Sequence, residues 1–150
     1  MSKGLRVRVG GVYVNAKNEI LLVRHEKAGR AYWLLPGGGC EFGETMERAL
    51  ERELREEARL ETRTSRLLFI NESLPPDAHR HVLNVTFLGE VLAGEAVLNE
   101  VSERLKAVAW VPKSEMNTLS FFPNFKSELL KHWDSGFSLA PASLGNLWED

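Results

Sequence analysis

The sequence predicts an α/β fold, of the α+β kind, in which a mixed sheet is flanked by helices. Three observations carry this. Several stretches alternate apolar and polar residues or form short apolar runs, the pattern of strands. Two other stretches repeat apolar residues at helical spacing. Only one helix lies closely between two strands, so the sheet is expected to be mixed and not wholly parallel.

The elements follow in order. Residues 5–14, "LRVRVGGVYV", alternate as a half-buried strand. "NAKN" (15–18) is a turn, and "EILLVRH" (19–25) returns as a more buried strand. "EKAGRA" (26–31) reads as a polar loop, and "YWLL" (32–35) as a short strand stopped by Pro36. Three glycines, Gly37 to Gly39, are expected to lie outside regular structure because of their backbone entropy. A helix is expected over 45–59, with Thr45 as its cap. Residues 62–71 and 81–91 read as strands, joined by a loop at 72–80. Residues 105–112 form another strand. Residues 123–135 form a second amphipathic helix, with Phe125, Leu129, Leu130 and Trp133 on its apolar side. The tail from Gly136 has no assigned structure. There is no repeat and no low-complexity linker, so residues 1–150 are expected to form one domain.

Composition narrows the function. Hydrophobic residues make up 43% and charged residues 27%, ordinary for a folded domain. A net charge of −2 provides no basic field for gripping long nucleic acid. A nucleotide-sized ligand held by a few local cations stays allowed. The one cysteine, Cys40, rules out an internal disulfide and a multi-cysteine zinc site. No run is long and apolar enough to span a membrane, and "MSKGLRVRVGG" has no signal-peptide pattern. The expectation is a cytoplasmic protein without a membrane partner, with a homodimer left open.

The helix at 45–59 carries the chemistry. On a wheel of roughly 100° per residue, Met46, Ala49 and Leu50 form an apolar stripe. Glu53 and Glu57 project onto the same stripe, and Glu56 lies beside it. Arg48, Glu51, Arg52 and Arg55 project outward. Three carboxylates spaced i, i+3, i+4 repel one another and resist desolvation. With Arg52 and Arg55 directed away, a hard divalent cation is the natural compensation, and all-oxygen ligands favour Mg²⁺ or Mn²⁺. The glycine loop could offer a carbonyl to the metal. Glu44 could reach Arg52 and tie loop to helix. A plain solvated face of i,i+4 pairs is the competing explanation.

Residues 38–60, "GGCEFGETMERALERELREEARL", resemble the signature of the Nudix hydrolases. Gly38, Glu44, Arg52, Glu53, Leu54, Glu56, Glu57 and Leu60 fall at its spacing. The preceding "LPGGG" and the later "AWVP" are similar too. One position departs: Arg59 stands where the family usually has glycine, which ends the helix in a left-handed conformation. The resemblance implies a Nudix-type α/β/α sandwich and a Mg²⁺- or Mn²⁺-dependent pyrophosphohydrolase. Its substrate would be a nucleoside diphosphate linked to another group. It implies that Glu53, Glu56 and Glu57 bind metal with the Gly38 carbonyl, and that Arg52 and Glu44 orient the site. A metal-activated water would attack phosphorus.

The general base stays open between Glu53 and a later acid, Glu100 or Glu103. Arg24, Arg30 and Arg80 are candidates for holding phosphates, Arg24 first because it closes a buried strand. Trp33 and Phe69 could stack on a base, although a core role suits them better. His79 and His81 flank Arg80 and could line a pocket. Cys40 reads as a loop residue and not a nucleophile. Pro75, fifteen positions after Leu60, resembles the subset that hydrolyses ADP-ribose, but the chain lacks that subset's extra N-terminal segment. ADP-ribose, nucleotide sugars, nucleoside triphosphates and dinucleoside polyphosphates therefore stay open as substrates. Two other classes compete: a non-catalytic nucleotide-sensing domain of the same fold, which would be expected to lose signature acids, and a diphosphate-using isomerase, whose extra catalytic residues are not identifiable.

Overall fold

A computed structural model describes residues 4–99 and 103–149. It contains β1 (Arg6–Val12), β2 (Glu19–Lys27), β3 (Arg30–Leu34), β4 (Gly37–Gly39), α1 (Met46–Ala58), β5 (Glu61–Ser73), β6 (Val82–Ala93), β7 (Leu105–Pro112), a 3₁₀ turn (Lys113–Thr118), α2 (Lys126–Asp134) and β8 (Ala142–Asn146). Five strands form a mixed sheet in the order β4-β1-β6-β5-β8, and three form an antiparallel sheet in the order β3-β2-β7. Parallel pairing occurs between β1 and β6 and between β5 and β8. The mixed-sheet expectation therefore holds.

Side-chain alternation sorts the strands between two larger cores, beside a small cluster of Val23, Leu34 and Leu105. Val9 and Leu21 join Ala49, Leu50 and Leu54 of α1 in one core. Val12, Ile20 and Leu22 join Phe69 and, from α2, Leu129 and Trp133 in the other. Each helix thus covers its own core, with strand residues shared between them.

Several expectations need correction. The supposed loop at 26–31 is a tight hairpin: β2 runs to Lys27, β3 starts at Arg30, and Ala28 and Gly29 both have positive φ, 52° and 77°. That is the geometry that matches the twist of paired strands. The three glycines do form a strand. β4 pairs antiparallel with β1, Gly37 opposite Gly10 and Gly39 opposite Arg8. Close approach explains the composition, because a Cβ on Gly37 would lie 1.9 Å from the Val9 carbonyl oxygen. The second helix begins only at Lys126. The unassigned tail supplies an edge strand, β8.

Candidate active site

The site forms where edge strand β4 meets α1. Thr45 caps the helix by accepting from the Arg48 N–H at 3.2 Å. Ala49, Leu50, Leu54 and Ala58 are fully buried and hold α1 against the sheet. The apolar stripe thus runs on through Leu54 and Ala58, whereas Met46 at its start is exposed. The acids lie along the flank of that stripe.

Glu57 is buried and accepts from the Gly37 N–H at 2.8 Å. Burial pushes its carboxyl up to about 7, against the pull of the Arg8 charge and the Gly37 hydrogen bond. Burial also raises Glu53, against the opposing effect of Arg52. The Glu53 carboxylate lies directly over Gly38: a Cβ there would come within 2.4 Å of its carboxyl carbon. Glycine at 38 therefore makes the room that Glu53 occupies.

Arg52 does not point outward as the wheel placed it. Its guanidinium curls back over the helix and bonds Glu44 through Nη2 at 2.6 Å and Nε at 3.1 Å. It also donates to Glu53 at 3.0 Å, Glu56 at 3.3 Å and the Gly39 carbonyl at 3.1 Å. A wheel assigns the Cα direction, whereas a long guanidinium stem reaches well beyond it. The expected tie between Glu44 and Arg52 is present, and Glu44 also accepts from the Glu41 N–H at 2.9 Å. Arg52 and the Glu41 hydrogen bond hold the Glu44 carboxyl down to about 2. Glu51, also placed outward, accepts from the Thr64 N–H at 3.1 Å and fastens α1 to β5.

Among the described residues, no three His, Cys, Asp or Glu side chains form a ready-made metal cage. Glu53 and Glu56 instead share Arg52, and Glu57 turns to Gly37. The donor set still suits a hard cation: all the candidate ligands are oxygens, and two are carboxyls for which burial makes the charge costly.

One functional candidate escaped the sequence analysis. Arg8 of β1 has its charge felt by Glu57 and Glu53 together. Its position opposite Gly39 places it at the site. The available signal was an arginine two residues before Gly10 in a strand that buries its later half. Arg24 lies on β2, and its Nε is buried with no hydrogen-bond partner. Arg30 is exposed at the β2–β3 hairpin, and Glu103 is exposed ahead of β7. Arg80 is exposed and lies over the Trp148 ring, 5.7 Å from its centroid. These three stand outside the Arg52 cluster. Glu100 falls outside the described residues. Phe69 is fully buried, and Trp33 packs against the same core. His79 pairs with Asp77 and His81 with Glu72. Cys40 is a free, half-buried thiol.

This edge-strand and helix arrangement, with its acidic flank, belongs to a known class. The chain matches the NUDIX domain family over residues 4–133 and is a member of it. It is 37% identical over 90 residues to an ADP-ribose pyrophosphatase of Methanocaldococcus jannaschii, covering 59% of this chain and 53% of that protein. It is 34% identical over 108 residues to the human 8-oxo-dGDP phosphatase NUDT18, covering 71% of this chain and 32% of that protein. The chain thus spans about half or less of these relatives. A NUDIX hydrolase from Nitrosomonas europaea superposes with a TM-score of 0.75 at 20% identity, covering 89% of this chain and 90% of that one. A MutT protein from Methanosarcina mazei superposes at 0.73 and 19% identity, covering 93% and 99%. These two likenesses concern the fold. No helix among the described residues is long and apolar enough to cross a membrane.

Proposed function

We propose that this chain is a divalent-metal-dependent hydrolase of phosphoanhydride bonds, acting on a nucleoside diphosphate joined to a second group. The observation that carries the reading is the placement of Glu53 and Glu57. Both are brought to β4 where desolvation makes their charge costly, the half-buried Glu53 over Gly38 and the buried Glu57 on the Gly37 N–H. A folding-only role would favour an apolar residue at such positions. Retention of Glu44, Arg52, Glu53, Glu56 and Glu57 together argues against a sensor that has lost its chemistry. The relatives' names support a nucleoside diphosphate as the core of the substrate: ADP-ribose carries a second group on it and 8-oxo-dGDP carries none.

In this reading Glu53, Glu56, Glu57 and the Gly38 carbonyl would hold Mg²⁺ or Mn²⁺. Such an ion activates water and absorbs charge that develops on phosphate oxygens. Arg52 orients Glu53 and Glu56 and binds the loop through Glu44 and Gly39. Arg8 supplies a positive charge beside Glu53 and Glu57. Glu53 is the preferred proton acceptor over Glu103, because it already stands among the acids while Glu103 is exposed. Arg24 is the remaining phosphate candidate on a strand; its Nε is buried without a hydrogen-bond partner.

The test is a hydrolysis screen over ADP-ribose, nucleotide sugars, nucleoside di- and triphosphates and dinucleoside polyphosphates. It is run with Mg²⁺, with Mn²⁺ and with chelator, in ¹⁸O-labelled water. The expected result is metal-dependent release of a nucleoside monophosphate, with label in a phosphate of one product. Label found only on a sugar carbon, or no turnover of any member, overturns the proposal.

A further inference from the structure

Beside the acidic face, where the two sheets meet, three cationic or ionisable side chains gather without an anionic partner. Arg8 stands on β1 of the large sheet, and its guanidinium donates to the Leu35 carbonyl at 3.4 Å, just beyond β3 of the small sheet. His25 of β2 lies opposite Tyr32 of β3, with ring centroids 5.9 Å apart. Tyr32 in turn meets the Phe122 ring edge-on at 5.6 Å. Arg104 immediately precedes β7, and its carbonyl accepts at 2.9 Å from the N–H of Glu26, the residue after His25. The charges of Arg8 and Arg104 both act on His25, and Arg8 itself feels Glu57, Glu53 and Tyr32. A row of groups thus runs from the acidic face through Arg8 to His25 and Arg104.

Two features set this row apart from a solvated surface. None of the ion pairs among the described residues includes Arg8, His25 or Arg104, although Glu26 and Glu103 are close to Arg104 along the chain or across the ladder. The His25 Nε2 is also buried with no hydrogen-bond partner. Burial and the two arginine charges hold the His25 pKa below the ordinary histidine value. The ring is therefore neutral near pH 7, and the tautomer with its proton on Nε2 offers a donor there. Leaving a buried ring nitrogen unpaired costs free energy that an apolar residue at the same place would avoid. Two arginines and a ring donor without an anion, in a chain of net charge −2, call for an anion from outside.

We infer that His25 and Arg104, next to Arg8, form a subsite for a phosphate that the substrate carries in addition to the diphosphate that is cleaved. This rests on the hydrolase reading above, in which the diphosphate lies on the carboxylate face. Arg8 stands next to that face, and His25 and Arg104 stand on the far side of Arg8, so they meet what is attached to the diphosphate. An uncharged sugar there would leave both the charge of Arg104 and the His25 donor unanswered. A phosphate answers them with charge-assisted hydrogen bonds. It has two sources, the end of a longer phosphate chain or a phosphate ester on a ribose. The chemical class named is thus a nucleotide with one phosphate more than a simple nucleoside diphosphate derivative.

The experiment is calorimetric titration, in Mg²⁺, of wild type, Arg104→Gln, His25→Phe and a control, Lys27→Gln, which removes an exposed charge at the end of β2. Two probe sets differ by one phosphate each. The first is the pair of ADP and ATP analogues with methylene in place of every bridging oxygen. The second is AMP with adenosine 2′,5′- and 3′,5′-bisphosphates. None contains a cleavable anhydride. Wild type is expected to bind the more phosphorylated member at least about tenfold tighter in one set, and the set that shows the ratio names the source. Arg104→Gln and His25→Phe are each expected to cut the ratio to about threefold or less, with affinity for the smaller member unchanged. Lys27→Gln is expected to keep it. Arg104 is exposed, so if a melt shows that His25→Phe does not fold, Arg104→Gln gives the reading. No binding, or a ratio near one in both sets, overturns the inference. So does a ratio that survives in either folded variant, or one that Lys27→Gln lowers as much as Arg104→Gln, which would assign it to diffuse surface charge. A protein that shows the ratio but hydrolyses no phosphoanhydride keeps this subsite and loses the hydrolase reading. One that hydrolyses but lacks the ratio does the reverse.

Discussion

At the scale of single residues, Arg59 shows how far a signature departure matters. Its φ and ψ are 56° and 38°, the left-handed conformation, and its N–H reaches back to the Arg55 carbonyl at 3.2 Å. The helix closes where the family closes it, with an arginine bearing the backbone strain that a glycine would avoid. Arg59→Gly is therefore expected to raise stability by about 0.5–1 kcal/mol. Thermal melts of the two proteins check this, and a loss of stability would mean that the arginine side chain contributes more than its conformation costs. Arg52 and Arg8 mark the limit of sequence reading at this scale. The i, i+3, i+4 spacing of the acids was legible, and so was the pairing of Glu44 with Arg52. The curl of the Arg52 guanidinium onto Glu53 and Glu56 was not, because side-chain reach is independent of wheel angle. Arg8 was hidden because its partners come from a helix some forty residues later in the chain.

At the scale of elements, local pattern revealed most strands and both helices, and it failed where a tertiary contact decides. Three glycines have no strand propensity. β4 exists because β1 lies alongside and only glycine backbone fits against Val9 and under Glu53. The tail gave no signal for a similar reason. β8 is an exposed five-residue strand held by β5. Asn146 at its end works like a further strand residue, accepting from the Leu74 N–H at 3.0 Å and donating to the Leu74 carbonyl at 2.9 Å. Leu147 adds a bond to the Glu72 carbonyl at 2.9 Å. Asn146→Ala is expected to speed hydrogen exchange of the Leu74 amide by about tenfold, the equivalent of one hydrogen bond. Amides of α1 should not change. Unaltered exchange at Leu74 would show that the strand pairing alone holds this loop.

At the scale of the whole molecule, the two larger buried clusters of the described residues share one set of strands, and a titratable group packs against the one under α2. His132 of α2 is 3% exposed, its Nδ1 has no partner, and its ring stands against Phe69 with centroids 4.6 Å apart. Burial lowers its pKa; Lys131 and Arg66 add to this, and Glu128 opposes it. The unfolded chain therefore takes up the proton more readily than the folded one. Stability is complete above the ordinary histidine value of about 6.5 and is lost as pH falls from there through the lowered folded value. Denaturant unfolding between pH 7.5 and 5 should show this loss, and His132→Leu should flatten part of it. A wild-type slope unchanged in the variant would remove His132 from the account.

The large sheet, α1 and the acidic flank of that helix together support the claim that this NUDIX member is a metal-dependent hydrolase. The most direct measurement is turnover by Glu57→Gln, at saturating Mg²⁺ or Mn²⁺, on whichever nucleoside diphosphate derivative the wild type cleaves. The glutamine oxygen can still accept from Gly37, so the fold is expected to persist, with a melting temperature no lower than wild type in chelator. Loss of one buried site carboxylate should lower turnover by at least about a hundredfold. Near-wild-type turnover by a folded Glu57→Gln protein would contradict the assignment of this carboxylate face as the metal site.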